Sequence, residues 1–315
     1  MKRILITGAS GQIGTELANY LGNIYGRENI LATNRSEKNL EALGDIRFET
    51  LDVTDGQKLF DLAKDFKADT IINLAAILSA KGETMPQKTW DINVNGIINS
   101  LEAARELGCQ VFVPSSIAAF GEGTPLDKTP QVTIQRPNTM YGVTKVAGEI
   151  LCDYYFHKFG VDVRGVRYPG IISHETLPGQ GTTDYAVHIY YDAIKKGAYT
   201  SYIAEGTQMD MLYMPDALKA VVDLMEADPD KLIHRNAFNI TAMSLTPEIL
   251  DESIKKYMPD FKLDYDVDPV RQAIAESWPN SLDDSAAREE WGWKPEYDLD
   301  KMTKDMLENL EKKLK

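Results

Sequence analysis

Tyr141-Gly142-Val143-Thr144-Lys145 sets a phenol and an ammonium at i and i+4, one turn apart on the same face of a helix. A phenol normally ionises near pH 10 and is a poor base at neutrality. An ammonium one turn away stabilises the phenolate, which can then take a proton from a substrate hydroxyl. Upstream, Pro114-Ser115-Ser116-Ile117-Ala118-Ala119-Phe120-Gly121 follows an apolar run that reads as a strand. Hydroxyls there fall at the C-terminal edge of a sheet, where α/β proteins bind ligands. A serine in that place can hold a substrate oxygen against the phenol; ordinary turn chemistry is the other reading.

A second constellation lies at the start of the chain. Thr7-Gly8-Ala9-Ser10-Gly11-Gln12-Ile13-Gly14 is GxxGxxG between an apolar strand and an amphipathic helix. Gly8 permits a tight turn, Gly11 lets backbone N–H groups approach a pyrophosphate, and Gly14 lets the helix pack close to the sheet. Gln12 and Ile13, between those glycines, are expected at the cofactor with them. The position at strand one of a βαβ pattern points to a dinucleotide, whose oxidised nicotinamide would also stabilise a neighbouring phenolate. The second strand ends Ala32-Thr33-Asn34-Arg35, without the acid expected ~20 residues beyond the glycines for the adenosine ribose. Asn34 can still bond ribose hydroxyls but does not repel a 2′-phosphate. Arg35 could pair with such a phosphate, stack on adenine or face solvent. These residues leave NAD and NADP both open. Asp52-Val53 after the third strand could meet the adenine amino group or cap the next helix.

The elements that must position these groups alternate through the first 170 residues. Strand patterns at Arg3–Thr7, Ile30–Thr33, Arg47–Leu51, Thr70–Leu74, Val111–Pro114 and Val163–Arg167 are short and apolar. Helical patterns run over Gly14–Ile24, Glu37–Leu43, Gly56–Phe66 and Lys88–Leu107. The alternation predicts an α/β fold, a Rossmann-like doubly wound parallel sheet. After Tyr168 a loop rich in Pro, Gly and Thr runs from Pro169 to Thr183. Beyond it helices and short strands mix, with Thr246-Pro247 as an N-cap and first helical residue and a last helix over Asp298–Lys315. Residues 1–170 therefore read as a dinucleotide domain carrying the Ser, Tyr and Lys. Residues 171–315 read as a smaller substrate lobe that returns some segments to the first.

Composition excludes other classes. The 315 residues carry a net charge of −14, which disfavours nucleic acid and anionic bilayers. The N-terminal apolar stretch breaks at Gly8, too soon for a signal peptide, and no apolar run approaches the ~20 residues of a membrane span. Two cysteines, Cys109 and Cys152, fit a reducing cytoplasm. The four histidines are scattered without a metal-ligand spacing, so no metal is expected.

Taken in order, the glycine turn, Asn73-Leu74-Ala75-Ala76, the Ser115–Gly121 run, the Tyr141–Lys145 run and Arg167-Tyr168-Pro169-Gly170 resemble the extended short-chain dehydrogenase/reductases over nearly the whole chain. The resemblance implies Ser116, Tyr141 and Lys145 as the catalytic residues. It also implies Leu74, Ala75, Ala76, Asn93, Lys145 and Tyr168 at the cofactor, although Asn93 could simply be a satisfied helix residue. Leu78–Glu83, Arg167–Ser173, Gly181–Ala186, Tyr213–Ala217 and Ser277-Trp278-Pro279 are similar to the short-chain-type L-threonine 3-dehydrogenases within that family. That likeness implies NAD-dependent oxidation of the L-threonine Cβ hydroxyl to 2-amino-3-oxobutyrate, with the Tyr141 phenolate as base. Ser79, Thr182 and Thr183 would join Ser116 and Tyr141 around the substrate. Asp184 could bind the ammonium or cap a helix, and Trp278 could close the pocket or belong to the core. The family likeness also suggests a homodimer through Lys88–Leu107 and Tyr141–Phe159. The alternatives are a nucleotide-sugar epimerase or dehydratase on the same scaffold, or a cofactor-sensing regulator without activity. The first would need cations for a diphosphate, and Pro169 to His188 has none besides histidine; the second would be expected to lose the tyrosine or lysine.

Overall fold

A computed structural model describes residues 1–38, 40–177 and 181–315. In chain order the strands are β1 (Ile4–Thr7), β2 (Ile30–Asn34), β3 (Arg47–Thr50), β4 (Thr70–Asn73), β5 (Gln110–Phe112), β6 (Ser115–Ser116) and β7 (Val163–Arg164). The series continues with β8 (Val166–Tyr168), β9 (Gly170–Ile172), β10 (Ala198–Ser201), β11 (Met209–Tyr213), β12 (Phe238–Asn239), β13 (Met243–Leu245) and β14 (Lys262–Tyr265). Six of them form a parallel sheet in the order β3-β2-β1-β4-β5-β7. Order reverses between β1 and β4, the switch point where such sheets open a crevice. The protein is thus the Rossmann-like α/β fold that the alternation predicts. The central strands are apolar because helices cover both faces; β1 and β4 are buried along their full length.

Three local expectations fail, each for a physical reason. Among the described residues of the expected Glu37–Leu43 helix, only a 3₁₀ turn at Leu40–Leu43 forms. Its carbonyls are taken from outside: Arg27 Nη2 donates to Leu43 at 2.6 Å and Asn19 Nδ2 to Ala42 at 2.8 Å. The strand expected at Val163–Arg167 breaks at Gly165. There the chain leaves the main sheet so close to Val113 that a Cβ would sit 2.1 Å from its carbonyl oxygen. The sequence beyond Gly165 becomes β8, the middle strand of a separate β12-β8-β6 sheet. Ser115 and Ser116 therefore lie on their own short strand, paired with Arg167 and Tyr168. The loop after Tyr168 contains β9, which pairs with β11; residues 178–180 of that loop lie outside the described residues.

The helix expected from Lys88 begins at Pro86 and is interrupted by a π turn at Asp91–Asn95 before Gly96–Leu107. The Met140–Phe159 helix starts on Thr139, whose side chain accepts the Gly142 N–H at 3.1 Å, and ends on Gly160 at φ +70°. Two cores flank the cleft. Leu17 and Leu21 on the first helix pack with Ala217, Val221 and Leu224 from the second half of the chain. A separate core unites β9, β11 and β13 with the helices Tyr185–Lys196 and Leu299–Leu314. Among the described residues no helix is long and apolar enough to cross a membrane.

Candidate active site

The glycine turn is built by backbone crowding. Gly8 sits at φ +70°, and a Cβ there would lie 2.7 Å from the Ala75 nitrogen. A Cβ on Gly14 would lie 2.3 Å from the Gly8 oxygen. No side chain caps Gly11 and no acid occupies the first helical turn, so the N-terminal N–H groups of the helix face the cleft unopposed. Gln12 Nε2 is buried without a partner among the described residues. A cradle that side chains would fill, beside an unpartnered buried donor, fits a dinucleotide pyrophosphate. Behind it Glu16 accepts a bond from Ser173 at 2.6 Å, and burial pushes its carboxyl up to about 7.

The cleft continues into a cavity of about 410 Å³ bordered by Gly8, Ser10, Gly11, Asn34, Arg35, Asp52, Val53, Leu74, Ala75 and Ala76. Asn34 Nδ2 donates to Ser10 Oγ, and its Oδ1 accepts the Arg35 N–H at 2.8 Å. Asp52 accepts from the Thr54 N–H at 3.1 Å and hydroxyl at 2.8 Å. The Thr54 N–H is the main reason its carboxyl lies below the usual carboxylate range. Asp52 thus caps its own turn while bordering the cavity. Val53 supports the other side, where Asn99 Nδ2 donates to its carbonyl at 2.8 Å.

At the opposite end a cavity of about 250 Å³ brings Ser116, Tyr141 and Lys145 together with Ser79, Tyr168, Thr182, Thr183, Asp184 and Trp278. Gly142 makes this possible: a Cβ there would lie 2.2 Å from the Ala118 oxygen, so the helix start presses onto the turn after Ser116. Both serine hydroxyls are near the cleft, yet their partners differ. Ser115 Oγ donates to Glu149 inside a buried network, whereas Ser116 faces the Tyr141 phenol. Lys145 Nζ donates to the Pro114 carbonyl at 2.7 Å and lies 5.3 Å from the centre of the Tyr141 ring.

The electrostatics correct one expectation. The lysine does not by itself lower the phenol: burial pushes Tyr141 up to about 12, and the Ser116 bond opposes this only in part. Burial also pulls Lys145 down to about 8, against the attraction of Glu149. The ammonium is bonded to a carbonyl and sits beside the ring, so its field reaches the phenol oxygen indirectly.

The remaining candidates divide between contact and support. Asp184 accepts the Gly181 N–H at 2.5 Å and so caps the turn that opens the Tyr185–Lys196 helix, as its capping alternative predicts. Thr182 Oγ1 is buried without a partner among the described residues. Trp278 is core and cleft wall at once, packed with Ile117, Ala118 and Phe120 while Tyr141 leans on the same cluster. Tyr168 borders the cleft with its ring and spends its hydroxyl on the Ala217 carbonyl at 2.9 Å. Asn93 is saturated by protein: it exchanges two bonds with the Ile77 backbone and donates to Thr144 Oγ1 at 3.0 Å. It therefore pins the segment after Ala76 and lines only a small recess behind Lys145.

Sequence reasoning missed Glu149, Lys38 and Lys81. Glu149 stands four residues beyond Lys145, a spacing that could have flagged it. Lys38 and Lys81 border the cavity beyond Asn34 from separate segments, and no local pattern marks them. Among the described residues no group of three or more His, Cys, Asp or Glu is placed to hold a metal.

A crevice at the strand switch point, with a glycine cradle at one end and a tyrosine–lysine pair at the other, defines a class of nucleotide-dependent enzymes. The chain belongs to the NAD dependent epimerase/dehydratase family, the extended short-chain dehydrogenase/reductases, whose profile matches residues 4–241. It is similar to the L-threonine dehydrogenase of Clostridium difficile, with 64% identity, TM-score 0.98, and 99% of this chain and 98% of that one covered. A monomeric L-threonine 3-dehydrogenase from a metagenome is 43% identical with TM-score 0.94, covering 99% and 100% of the two chains. An uncharacterized epimerase/dehydratase of Staphylococcus saprophyticus is 58% identical over 316 aligned positions, covering 100% of this chain and 99% of its own.

Proposed function

We propose that the protein oxidises the Cβ hydroxyl of L-threonine to 2-amino-3-oxobutyrate with NAD. One observation carries the reading. Tyr141 faces Ser116 beside Lys145, in a cavity of about 250 Å³ whose described lining has no cation besides Lys145. A small zwitterion suits that space, whereas a nucleotide sugar would bring a diphosphate with nothing to neutralise it. The named relatives among solved structures support the same substrate.

NAD, when bound, supplies the acceptor for the hydride leaving Cβ. The glycine turn would hold its pyrophosphate, and Asn34, Arg35, Asp52 and Val53 its adenosine. Leu74, Ala75, Ala76, Lys145 and Tyr168 would border its nicotinamide half, with Asn93 fixing the floor through Ile77. Ser116 orients the substrate hydroxyl and Tyr141 Oη takes its proton. Lys145, anchored on Pro114, offers its ammonium to the nicotinamide ribose and its field to the phenol. Ser79, Thr182 and Thr183 offer hydroxyls to the carboxylate, and the Asp184 cap brings negative charge to the ammonium side.

We assign the enzyme to the cytoplasm, in keeping with two free, buried cysteines. A homodimer is the favoured assembly, because Trp90, Val143, Ile150 and Tyr154 expose apolar surface on the two helical stretches expected to pair. Absorbance at 340 nm tests the activity, with L-threonine, NAD or NADP, and a nucleotide-sugar control. Reduction dependent on L-threonine supports the reading; silence with threonine and turnover of the nucleotide sugar overturns it.

A further inference from the structure

Ser79 reaches the cavity of about 250 Å³ from a single turn of helix, Ser79–Glu83, with Leu78 beside it. Five residues do not hold a helix on their own, because ordering the first turn costs more than its bonds return. No side chain caps its start, and Lys81, Glu83 and Thr84 are exposed. The turn must therefore be held from outside. Just before it, Asn93 grips Ile77 through two bonds. Within it, Thr89 Oγ1 donates to the Gly82 carbonyl at a long 3.3 Å. At its far end Glu83 Oε1 accepts the Met140 N–H at 2.7 Å.

Met140 is the first residue of the helix that carries Tyr141, and that helix has no acid in its own first turn. Glu83 supplies one from another segment, on an N–H that no residue within the helix can satisfy. The two partners are unequally fixed. The start of the long helix is wedged by Gly142 against the Ala118 oxygen and tied down by Lys145 on Pro114. The short turn has no such wedge, so it is the part that drifts when the bond is lost. We propose that Glu83 is a positioning residue for the substrate: it moors the Ser79 turn to the helix of Tyr141 and so sets the separation between the Ser79 hydroxyl and the phenol. Glu83 is not among the residues that line either large cavity, so it acts through Ser79. The proposal rests on the reading of the smaller cavity as the L-threonine site and deepens it.

The test is a double-mutant cycle on the full chain. Steady-state rates with L-threonine at saturating NAD are paired with NADH titration by fluorescence, for Glu83→Ala, Glu83→Gln, Ser79→Ala and the Glu83→Ala, Ser79→Ala pair. Glu83→Ala should raise KM for L-threonine about five- to tenfold, the worth of one hydrogen bond. Its kcat should stay within about twofold, because Ser116, Tyr141 and Lys145 keep their own supports. NADH affinity should also stay within about twofold, since the glycine turn and the end of β2 do not depend on Glu83. Glu83→Gln keeps an acceptor at the same reach and should bring KM back to within about twofold of the parent. Once Ser79 is alanine, Glu83→Ala should add less than about twofold, because the effect runs through that hydroxyl. An unmoved KM, a full rise without Ser79, or no rescue by glutamine overturns the mooring. So does a matching loss of NADH affinity, the mark of a merely structural role. A parent that does not oxidise L-threonine overturns the substrate reading and the mooring with it, whereas an active parent with any of those results overturns the mooring alone.

Discussion

Lys145 Nζ donates to the Pro114 carbonyl at 2.7 Å, which ties the helix carrying Tyr141 to the segment carrying Ser116. Lys145 lines the cavity, with its ammonium 5.3 Å from the Tyr141 ring centre. Tyr141 and Ser116, the proposed proton acceptor and hydroxyl holder, are thus fixed to each other through a lysine that touches both supports.

Tyr141→Phe removes the oxygen that takes the proton and leaves the ring on its cluster with Trp278. Turnover of L-threonine should fall by about 10²–10⁴, with NADH affinity within about threefold of the parent. Steady-state rates paired with a fluorescence titration separate the two effects. Near-parent turnover would remove Tyr141 from the mechanism.

Oxidation should accelerate with pH, because the reactive form is the phenolate. Burial holds the phenol near 12, so the phenolate is a small fraction between about pH 6 and 9 and grows by up to about tenfold with each unit of pH. A flat profile, with chemistry shown to limit the rate, would count against a tyrosine base.

Glu16 keeps its proton to about pH 7, against 4.5 for an ordinary glutamate. Between those values the folded protein binds more protons than the unfolded chain. Stability from this group is therefore full at low pH, declines as pH rises through the window and levels off above it. Glu16→Gln keeps an acceptor for Ser173 without the titration. Relative to the parent it should gain about 1–3 kcal/mol in stability between pH 5 and pH 8. Asp210, also raised to about 7, is present in both proteins and cancels in the difference. Urea melts at the two pH values provide the check; a difference that does not change with pH is the contrary result.

Glu149 collects bonds from Ser115, from Gln135 at 2.7 Å, and from Arg167 Nε and Nη2 at 2.9 and 2.7 Å. Both charges of this pair are buried. Glu149→Ala strands the guanidinium with the Gln131 carbonyl and Asn239 alone. A loss of about 3–5 kcal/mol is expected in chemical denaturation. A loss below about 1 kcal/mol would show that the network is dispensable.

The glycine turn and the Tyr141–Lys145 pair were legible in the sequence because each rests on local geometry. Gly8 and Gly14 answer to backbone atoms a few residues away or on the next strand, and i, i+4 spacing defines a helical face. Ser116 was chosen over Ser115 through the family resemblance and not through local geometry, because the bond that occupies Ser115, to Glu149, is a long-range contact with no local signature. The phenol's high pKa was equally hidden, since charge spacing along a helix says nothing about how deeply the pair is buried. Asp184 had two readings, and its cap was built without taking the residue away from the cleft, whereas Asp52 does not cap the next helix, which starts on Asp55.

The two cores on either side of the cleft have an evolutionary consequence. Ser116, Tyr141 and Lys145 all stand on the wall formed by the first half, braced by Pro114, Glu149 and Asn93. Thr182, Thr183 and Asp184 stand on the opposite wall, beside the core of β9, β11 and β13. Substitutions that reshape the second wall need not disturb the proton-moving apparatus on the first. Such an architecture can acquire a new substrate by drift in one jaw while the other stays fixed, so substrate range in this scaffold can diverge faster than reaction type.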